Sequence, residues 1–275
     1  MFSKAIVGYL DILGYQDLVS KLMGREELVK KFENLFYKTS IGTIEGLCCM
    51  DLSDVVNGGH KEEERHRQLV KATRIRNNAD SFIFTLPVHE VGLHCPETLV
   101  AYFLTITTFV ISFTVQMGHL LRGGISIGKH YESERERQLF IFSEAHNRAV
   151  TLESKKAVYP RIIIDDRLLL YLKDISFSYG GLFYKDDDYY CLDIYNIFFD
   201  IDDRRGNRKE EFLTHIKNGV ELEIKKNFSN KKELDRLIYF AKMHNMRVIS
   251  ARVNLPHLTF DIEKYEKQLR RLNSA

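Results

Sequence analysis

Two acidic residues, Asp11 and Asp80, each stand beside an apolar run that is typical of a β-strand. Asp11 follows the strand predicted over residues 3–10, and Asp80 stands where the apolar part of residues 74–86 begins. A carboxylate there costs free energy unless it is exposed at the strand end or paired. On neighbouring strands, two such carboxylates can share a pair of divalent ions about 3.5–4 Å apart, an arrangement that catalyses in-line phosphoryl transfer. Their oxygen ligands suit Mg²⁺ or Mn²⁺.

The residues after Asp11 fit a site for phosphate. Gly14 allows the backbone to approach a phosphate closely, and Tyr15 begins a helical pattern that runs to about residue 38. The start of a helix favours an anion. An alternative stays open, because an aspartate before a helix is also a common N-cap. Asp80 at the start of a second strand favours the metal interpretation.

The composition is that of an ordinary globular protein. The chain has 275 residues, 44% of them apolar, and a net charge of +2. A charge this small does not call for nucleic acid or an acidic membrane as a partner. The cysteines form no C-x-x-C pair and no signal peptide precedes them, so we expect a reduced, cytoplasmic setting.

One segment, residues 98–121, carries no formal charge and is long enough to cross a bilayer. Polar residues nevertheless recur along it at steps of three and four, as on an amphipathic helix of a soluble protein. These are Thr105, Thr108, Ser112, Gln116 and His119. We therefore predict a buried helix and no membrane insertion.

The order of predicted elements is strand–helix, strand, helix–strand and strand–helix–strand. This alternation predicts an α+β sandwich of the ferredoxin-like kind, with helices on one face of a mainly antiparallel sheet. Residues 131–138 are predicted to form an exposed hairpin tip. We place a catalytic domain at residues 1–205 and a C-terminal helical extension at residues 206–275. The pattern assigns no role to residues 39–70.

Four stretches of the sequence resemble the class III nucleotidyl cyclases, whose core is βαββαβ. They are YLDILGYQDL (9–18), ADSFIF (79–84), LRGGISIGK (121–129) and FSEAHNRAVTLES (142–154). Within that group the chain looks most like the bacterial pyrimidine cyclases of the Pycsar antiphage systems. That likeness adds residues 152–164 and a helical tail near His244 and Asn245.

The resemblance implies a reaction and an assembly. Asp11 and Asp80, with the backbone carbonyl of Ile12, would hold two divalent ions, Mn²⁺ or Mg²⁺. The ribose 3′-hydroxyl of a nucleoside triphosphate would attack the α-phosphorus, and pyrophosphate would leave. The family also implies a homodimer with active sites at the interface. The cyclic nucleotide would activate a separate effector during antiphage defence.

The family's register also suggests which base is bound. It places the base-reading position at Arg74, its partner at Phe140 and the catalytic asparagine at Asn147. Phe140 offers no acceptor for the amino group of adenine, whereas an arginine donates to carbonyl oxygens. We therefore expect a pyrimidine, UTP rather than CTP, although Arg76 competes for this role and Arg74 could be a simple strand-end residue.

One departure from the family pattern keeps other functions open. Thr151 stands where the family has its transition-state arginine, so Arg148, Arg161 or a residue of the second subunit would have to substitute. A purine cyclase that uses ATP or GTP is one alternative. A non-catalytic, cyclase-like nucleotide sensor is the other.

Overall fold

The computed structural model describes residues 2–15, 19–20, 23–27, 29–30, 33–34, 68–69, 71–78, 80–88, 96–116, 118–135, 138–178, 181–196, 208–250 and 256–274. The helix expected over residues 15–38 falls partly outside these ranges, and residues 39–67 fall wholly outside them. Three of the four cysteines, Cys48, Cys49 and Cys95, also lie outside. Cys191 is buried and its thiol is free.

The described strands form one sheet in the order β2-β3-β1-β4-β6-β8-β7, with β5 paired to the far part of β4. Only the pairing of β4 with β6 is parallel among these strands. The α+β class with a mainly antiparallel sheet is thereby confirmed. The strands are β1 (Ser3–Ile12), β2 (Arg74–Asn78), β3 (Ser81–Pro87), β4 (Leu121–Arg135), β5 (Gln138–Ser143), β6 (Ile162–Ile164), β7 (Phe183–Asp186) and β8 (Tyr189–Leu192).

Helices cover both faces of this sheet, so the expectation that they share one face is wrong. The longer helices are α1 (Pro96–Gln116), α2 (Glu144–Lys155), α3 (Asp166–Asp174), α4 (Arg208–Lys226), α5 (Lys231–Ser250) and α6 (Ile262–Ser274). A Cβ placed on Gly8 of β1 would lie 3.4 Å from Phe103 of α1. A Cβ on Gly124 of β4 would lie 2.6 Å from the carbonyl of Ala149 of α2. Gly8 pairs with Ile125, so these two residues point to the same face of the sheet. Gly124 is the neighbour of Ile125 in the strand and points to the other face. The contacts with α1 and α2 therefore lie on opposite faces.

The apolar helix α1 is a core helix of the fold. It is long and apolar enough to cross a membrane, but 76% of its most apolar stretch is buried inside the protein. Its polar stripe is not the solvent-facing side that the spacing suggested, because Thr108 and Ser112 are fully buried. The hydroxyl of Thr105 donates to the carbonyl of Ala101 at 2.8 Å, so the helix backbone itself accepts this polar group.

The C-terminal helices belong to the same hydrophobic core as the sheet. One cluster of buried side chains includes Leu10 of β1, Phe103 of α1, Ile216 of α4 and Leu237 of α5. Gly118, after α1, has a φ of +85°, and a Cβ there would lie 3.1 Å from the carbonyl of Gly219 in α4. A domain boundary near residue 205 remains a prediction, but the extension packs on the sheet domain and does not hang free of it.

Candidate functional site

Asp11 and Asp80 lie at the same end of two neighbouring strands. Asp11 stands opposite Ser81 of β3 on one side and Arg122 of β4 on the other. Asp80 immediately precedes Ser81, and its carbonyl accepts the amide of Ile12 at 2.8 Å. The antiparallel register therefore places two acidic residues that are 69 positions apart in the sequence at the same end of adjacent strands. This is the juxtaposition expected from the apolar runs.

Arg122 and Glu153 complete this end of the sheet. The Nε of Arg122 lies 3.1 Å from Oδ2 of Asp11, and its Nη2 lies 2.7 Å from Oε1 of Glu153. Glu153 shares the buried face of α2 with Ala145 and Ala149 at steps of four, which stack on one side of a helix. The helix reaches the sheet closely because Gly124 has no side chain in its path. The position of Arg122 beside the glycine-rich strand is compatible with a phosphate contact or a surface salt bridge, whereas the sequence gives no indication of the role of Glu153.

This group of side chains, which we call the carboxylate cluster (Asp11, Asp80, Glu153 and Arg122), carries an excess of negative charge. Burial raises the pKa of Asp11; Arg122 opposes that shift and the charge of Asp80 adds to it. Burial likewise raises the pKa of Glu153; Arg122 opposes this shift, and the charges of Asp11 and Asp80 add to it. One arginine thus balances three carboxyl groups incompletely, and a divalent cation would relieve the remaining repulsion.

The donor set fits the divalent ions that the resemblance implies. Carboxylate and carbonyl oxygens are the ligands that Mg²⁺ and Mn²⁺ prefer. Asp11, Asp80 and the carbonyl of Ile12 would hold the ions at the strand ends. Within the described ranges, no three histidine, cysteine, aspartate or glutamate side chains form a metal cluster by themselves.

The loop after Asp11 has the glycine conformation that the sequence suggested. Gly14 adopts a φ of +75°, in the region that side chains disfavour. The amide of Leu13 donates to the carbonyl of Leu120 at 2.9 Å and ties this loop to the segment before β4. Tyr15 is half-buried against the main core, so only part of its ring is accessible to a ligand.

Arg74 lies at a different part of the same sheet face. It stands opposite Thr85, which stands opposite Val7, four residues before Asp11. Its Nη1 is 3.8 Å from Oε2 of Glu132 on β4, and 40% of its side chain is exposed. Arg74 and Asp11 of one protomer therefore occupy separate positions along the face.

Glu132 is the centre of what we call the arginine cluster (Arg74, Arg76, His130 and Glu132). Arg76 places Nη2 3.2 Å from Oε1 of Glu132 and 2.9 Å from Oε2 of Glu134. Burial alone would raise the pKa of Glu132, but the bond to His130 and the charges of Arg74 and Arg76 lower it below the ordinary value. The side chain of Glu132 is only 2% exposed, so the prediction of an exposed tip over residues 131–138 is wrong at this residue.

The remaining expected residues are on exposed surfaces. Phe140 is 56% exposed on β5, with its ring centroid 6.3 Å from that of Tyr131. Asn147 is exposed on α2, and its carbonyl accepts the hydroxyl of Thr151 at 2.7 Å. Neither contact joins these residues to the carboxylate cluster of the same protomer.

The two arginines considered as substitutes at Thr151 already have carboxylate partners. Arg148 donates to both oxygens of Asp165 at 2.5 Å. Arg161 is buried and lies 2.5 Å from Oδ2 of Asp186. Each would have to give up an ion pair before it could bind a phosphate.

Comparison with known proteins gives likenesses to cyclase domains at low similarity. No family model matches the chain, and no curated protein matches it. The monomeric guanylyl cyclase domain of the RhoGC fusion protein from Blastocladiella emersonii is 12% identical with a TM-score of 0.45, covering 70% of this chain and 95% of that one. The adenylyl cyclase CyaB from P. aeruginosa is 13% identical with a TM-score of 0.40, covering 70% and 95%. A bacterial light-regulated adenylyl cyclase is 12% identical with a TM-score of 0.42, covering 73% and 95%. At TM-scores below 0.5 these likenesses decide nothing about substrate, and the residues at the site must decide it.

Proposed function

We propose that the chain is a nucleotidyl cyclase that converts a nucleoside triphosphate to a 3′,5′-cyclic nucleotide and pyrophosphate. The observation that carries the proposal is the meeting of Asp11 and Asp80 at adjacent strand ends beside Gly14. The excess negative charge of the carboxylate cluster and the class III motifs around it support the same reaction.

Each residue has a specific task in this mechanism. Asp11, Asp80 and the Ile12 carbonyl hold the cations, which when bound activate the ribose hydroxyl and neutralise phosphate charge. Arg122 fixes the orientation of Asp11 through its bond to Oδ2 and is itself fixed by Glu153. Gly14 leaves room for a phosphate next to the loop. Most of the rate enhancement comes from positioning and electrostatics.

A homodimer completes the site in this proposal. Arg74, Phe140 and Asn147 are accessible and lie apart from Asp11 in their own protomer, as expected for residues that serve the site of a second copy. The β5 strand also exposes Leu139 and Phe142. An apolar surface of this kind favours contact with another chain.

Arg74 is the better of the two candidates for reading a base. Arg76 is held by two carboxylates, whereas within the part of the chain that the structure describes Arg74 has one distant ion pair at 3.8 Å, which leaves donors for a ligand. An arginine donates to carbonyl oxygens, of which uracil has two and cytosine one. This supports a pyrimidine substrate, UTP in preference to CTP.

The cellular role follows from the resemblance. We propose a cytoplasmic enzyme whose cyclic UMP or cyclic CMP activates a separate cyclic-nucleotide-gated effector in antiphage defence. Nothing in the small net charge requires a nucleic acid partner.

The direct test is to incubate the purified chain with each of the four nucleoside triphosphates and Mn²⁺ and to identify the products by mass spectrometry. We expect cyclic UMP, with less cyclic CMP. Cyclic AMP or cyclic GMP alone would overturn the base assignment and leave a purine cyclase. No product with any nucleotide would favour the nucleotide sensor, which Thr151 in place of arginine also supports.

A further inference from the structure

The first turn of α5 lies against the glycine loop of the candidate site. A Cβ placed on Gly14 would lie 3.6 Å from Oε2 of Glu233. Oε1 of the same carboxylate lies 2.6 Å from Nη1 of Arg236. The C-terminal extension therefore brings one carboxylate and one guanidinium to the place where a phosphate would pass Gly14.

This ion pair is well shielded from solvent and close to the carboxylate cluster. The side chains of Arg236 and Glu233 are 12% and 16% exposed. Glu233 holds Arg236 beside the loop of Gly14, three residues after Asp11.

The other arginine at this end is already committed. Arg122 donates a hydrogen bond to Asp11 and forms an ion pair with Glu153. Among the described residues, the ion-pair partner of Arg236 is Glu233, its neighbour on the same helix, so an incoming anion can replace that partner without opening the sheet.

We propose that Arg236 binds the phosphates of the nucleotide in its own protomer, and that Glu233 occupies this position until the substrate displaces it. The inference rests on the proposed function, since it assigns a residue to that same site. It gives the C-terminal extension a part in substrate binding. It also supplies a basic group to a site in which Thr151 stands where the resemblance places an arginine.

The test measures binding of inorganic tripolyphosphate in the presence of Mg²⁺ by isothermal titration calorimetry, so that no turnover is needed. Arg236→Met should weaken binding about tenfold, the effect of one charge-assisted hydrogen bond. Glu233→Gln should tighten binding roughly threefold, because the competing carboxylate charge is removed. Lys242→Met is the matched control, since Lys242 lies on the same helix as Arg236 and loses only an exposed ion pair with Glu266 of α6, so the variant should change nothing.

Unchanged affinity in Arg236→Met, weaker binding by Glu233→Gln, or no tripolyphosphate binding by the parent chain would each overturn the inference. If Arg236→Met does not fold by circular dichroism, Arg236→Lys replaces it. That variant keeps the charge, loses the planar fork, and should bind about threefold more weakly; parent-like affinity would overturn the inference. If the variant binds tripolyphosphate weakly and the parent forms no cyclic product, the cyclase proposal fails and phosphate binding by Arg236 stands. If the parent forms a cyclic product and the variant binds tripolyphosphate normally, the cyclase proposal stands and phosphate binding by Arg236 fails.

Discussion

The carboxylate cluster and the arginine cluster lie on one face of the same sheet, yet their charges are opposite in balance. At the first, Arg122 contacts the carboxyl groups of Asp11 and Glu153, and the pKa values of both are raised. At the second, Arg74, Arg76 and His130 surround Glu132, whose pKa is lowered. The carboxylate cluster lacks the positive charge that would balance its carboxyl groups, whereas the arginine cluster has an excess of hydrogen-bond donors.

On the proposed function, neither cluster is a complete nucleotide site. The carboxylate cluster would hold the metal ions that bind the phosphates, and the arginine cluster would donate hydrogen bonds to the carbonyl groups of a base. In one protomer the register separates Asp11 and Arg74 by two strands and four residues. A head-to-tail dimer would set the carboxylate cluster of one copy against the arginine cluster of the other.

We expect the largest effect on activity when an aspartate of the carboxylate cluster loses its charge. Asp80→Asn and Asp11→Asn should each lower turnover about a thousandfold, because a cation ligand is lost while the shape is kept. The measurement is the rate of cyclic nucleotide formation with Mn²⁺, with circular dichroism to show that each variant folds. Asp188→Asn, in the exposed turn between β7 and β8, is the control and should keep full activity. Full activity in Asp80→Asn would remove that residue from the site.

At the arginine cluster, Glu132→Gln should chiefly affect stability. It leaves Arg74, Arg76 and His130 without their shared anion, and we expect a loss of about 2 kcal/mol in the free energy of unfolding, a discounted value because both arginines are partly exposed. Urea denaturation measures it. Glu134→Gln, two residues along β4 and 53% exposed, should cost less than about 0.5 kcal/mol. Equal losses in the two variants would contradict the distinct role of Glu132.

Arg74 and Arg76 allow a sharper comparison within that cluster. If Arg74 reads the base, Arg74→Ala should raise KM for UTP about tenfold and reduce the preference over ATP, since one charged donor is lost. Arg76→Ala should leave KM within about threefold and act on stability, because its donors are engaged by Glu132 and Glu134. Steady-state kinetics of both variants with UTP and ATP provide the test. The reverse pattern would transfer base reading to Arg76.

A feature of this structure can be predicted from the sequence when it depends on a local pattern of residues, and not when it depends on contacts between distant segments. β1 and β3 are long apolar runs, so their existence and the placement of Asp11 and Asp80 at their ends follow from local pattern alone. The mainly antiparallel sheet and the helical character of residues after 208 are likewise confirmed.

The missed residues depend on contacts between distant segments. Glu132 lies in the run YESERERQ, which reads as solvated until the arginines of β2 are placed beside it. Glu153 lies in the stretch 142–154 that resembles the cyclase motif, but its contact with Arg122 needs the close approach of α2 over Gly124. No local pattern could bring Glu233 to Gly14, 219 positions away along the chain. Tertiary packing alone sets these contacts.

The smallest expected effect is a pH dependence that differs in sign between the two clusters. Asp11 and Glu153 have raised pKa values, so their contribution to stability is fully present below the ordinary carboxyl values of 3.8 and 4.5 and is lost as the pH rises through the raised values. Glu132 has a lowered pKa, so its contribution is present above 4.5 and is lost as the pH falls through that lowered value.

Because cations bind only the deprotonated carboxylates, Mn²⁺ should raise the melting temperature by about 3 °C at pH 8 and by less at pH 5, roughly 1 kcal/mol for a chain of this size. Differential scanning calorimetry with and without Mn²⁺ measures this. Asp80→Asn should abolish the gain, whereas Glu132→Gln should lower the melting temperature and keep it. A gain from Mn²⁺ that is equal at both pH values, or that survives in Asp80→Asn, would place the cation away from the carboxylate cluster.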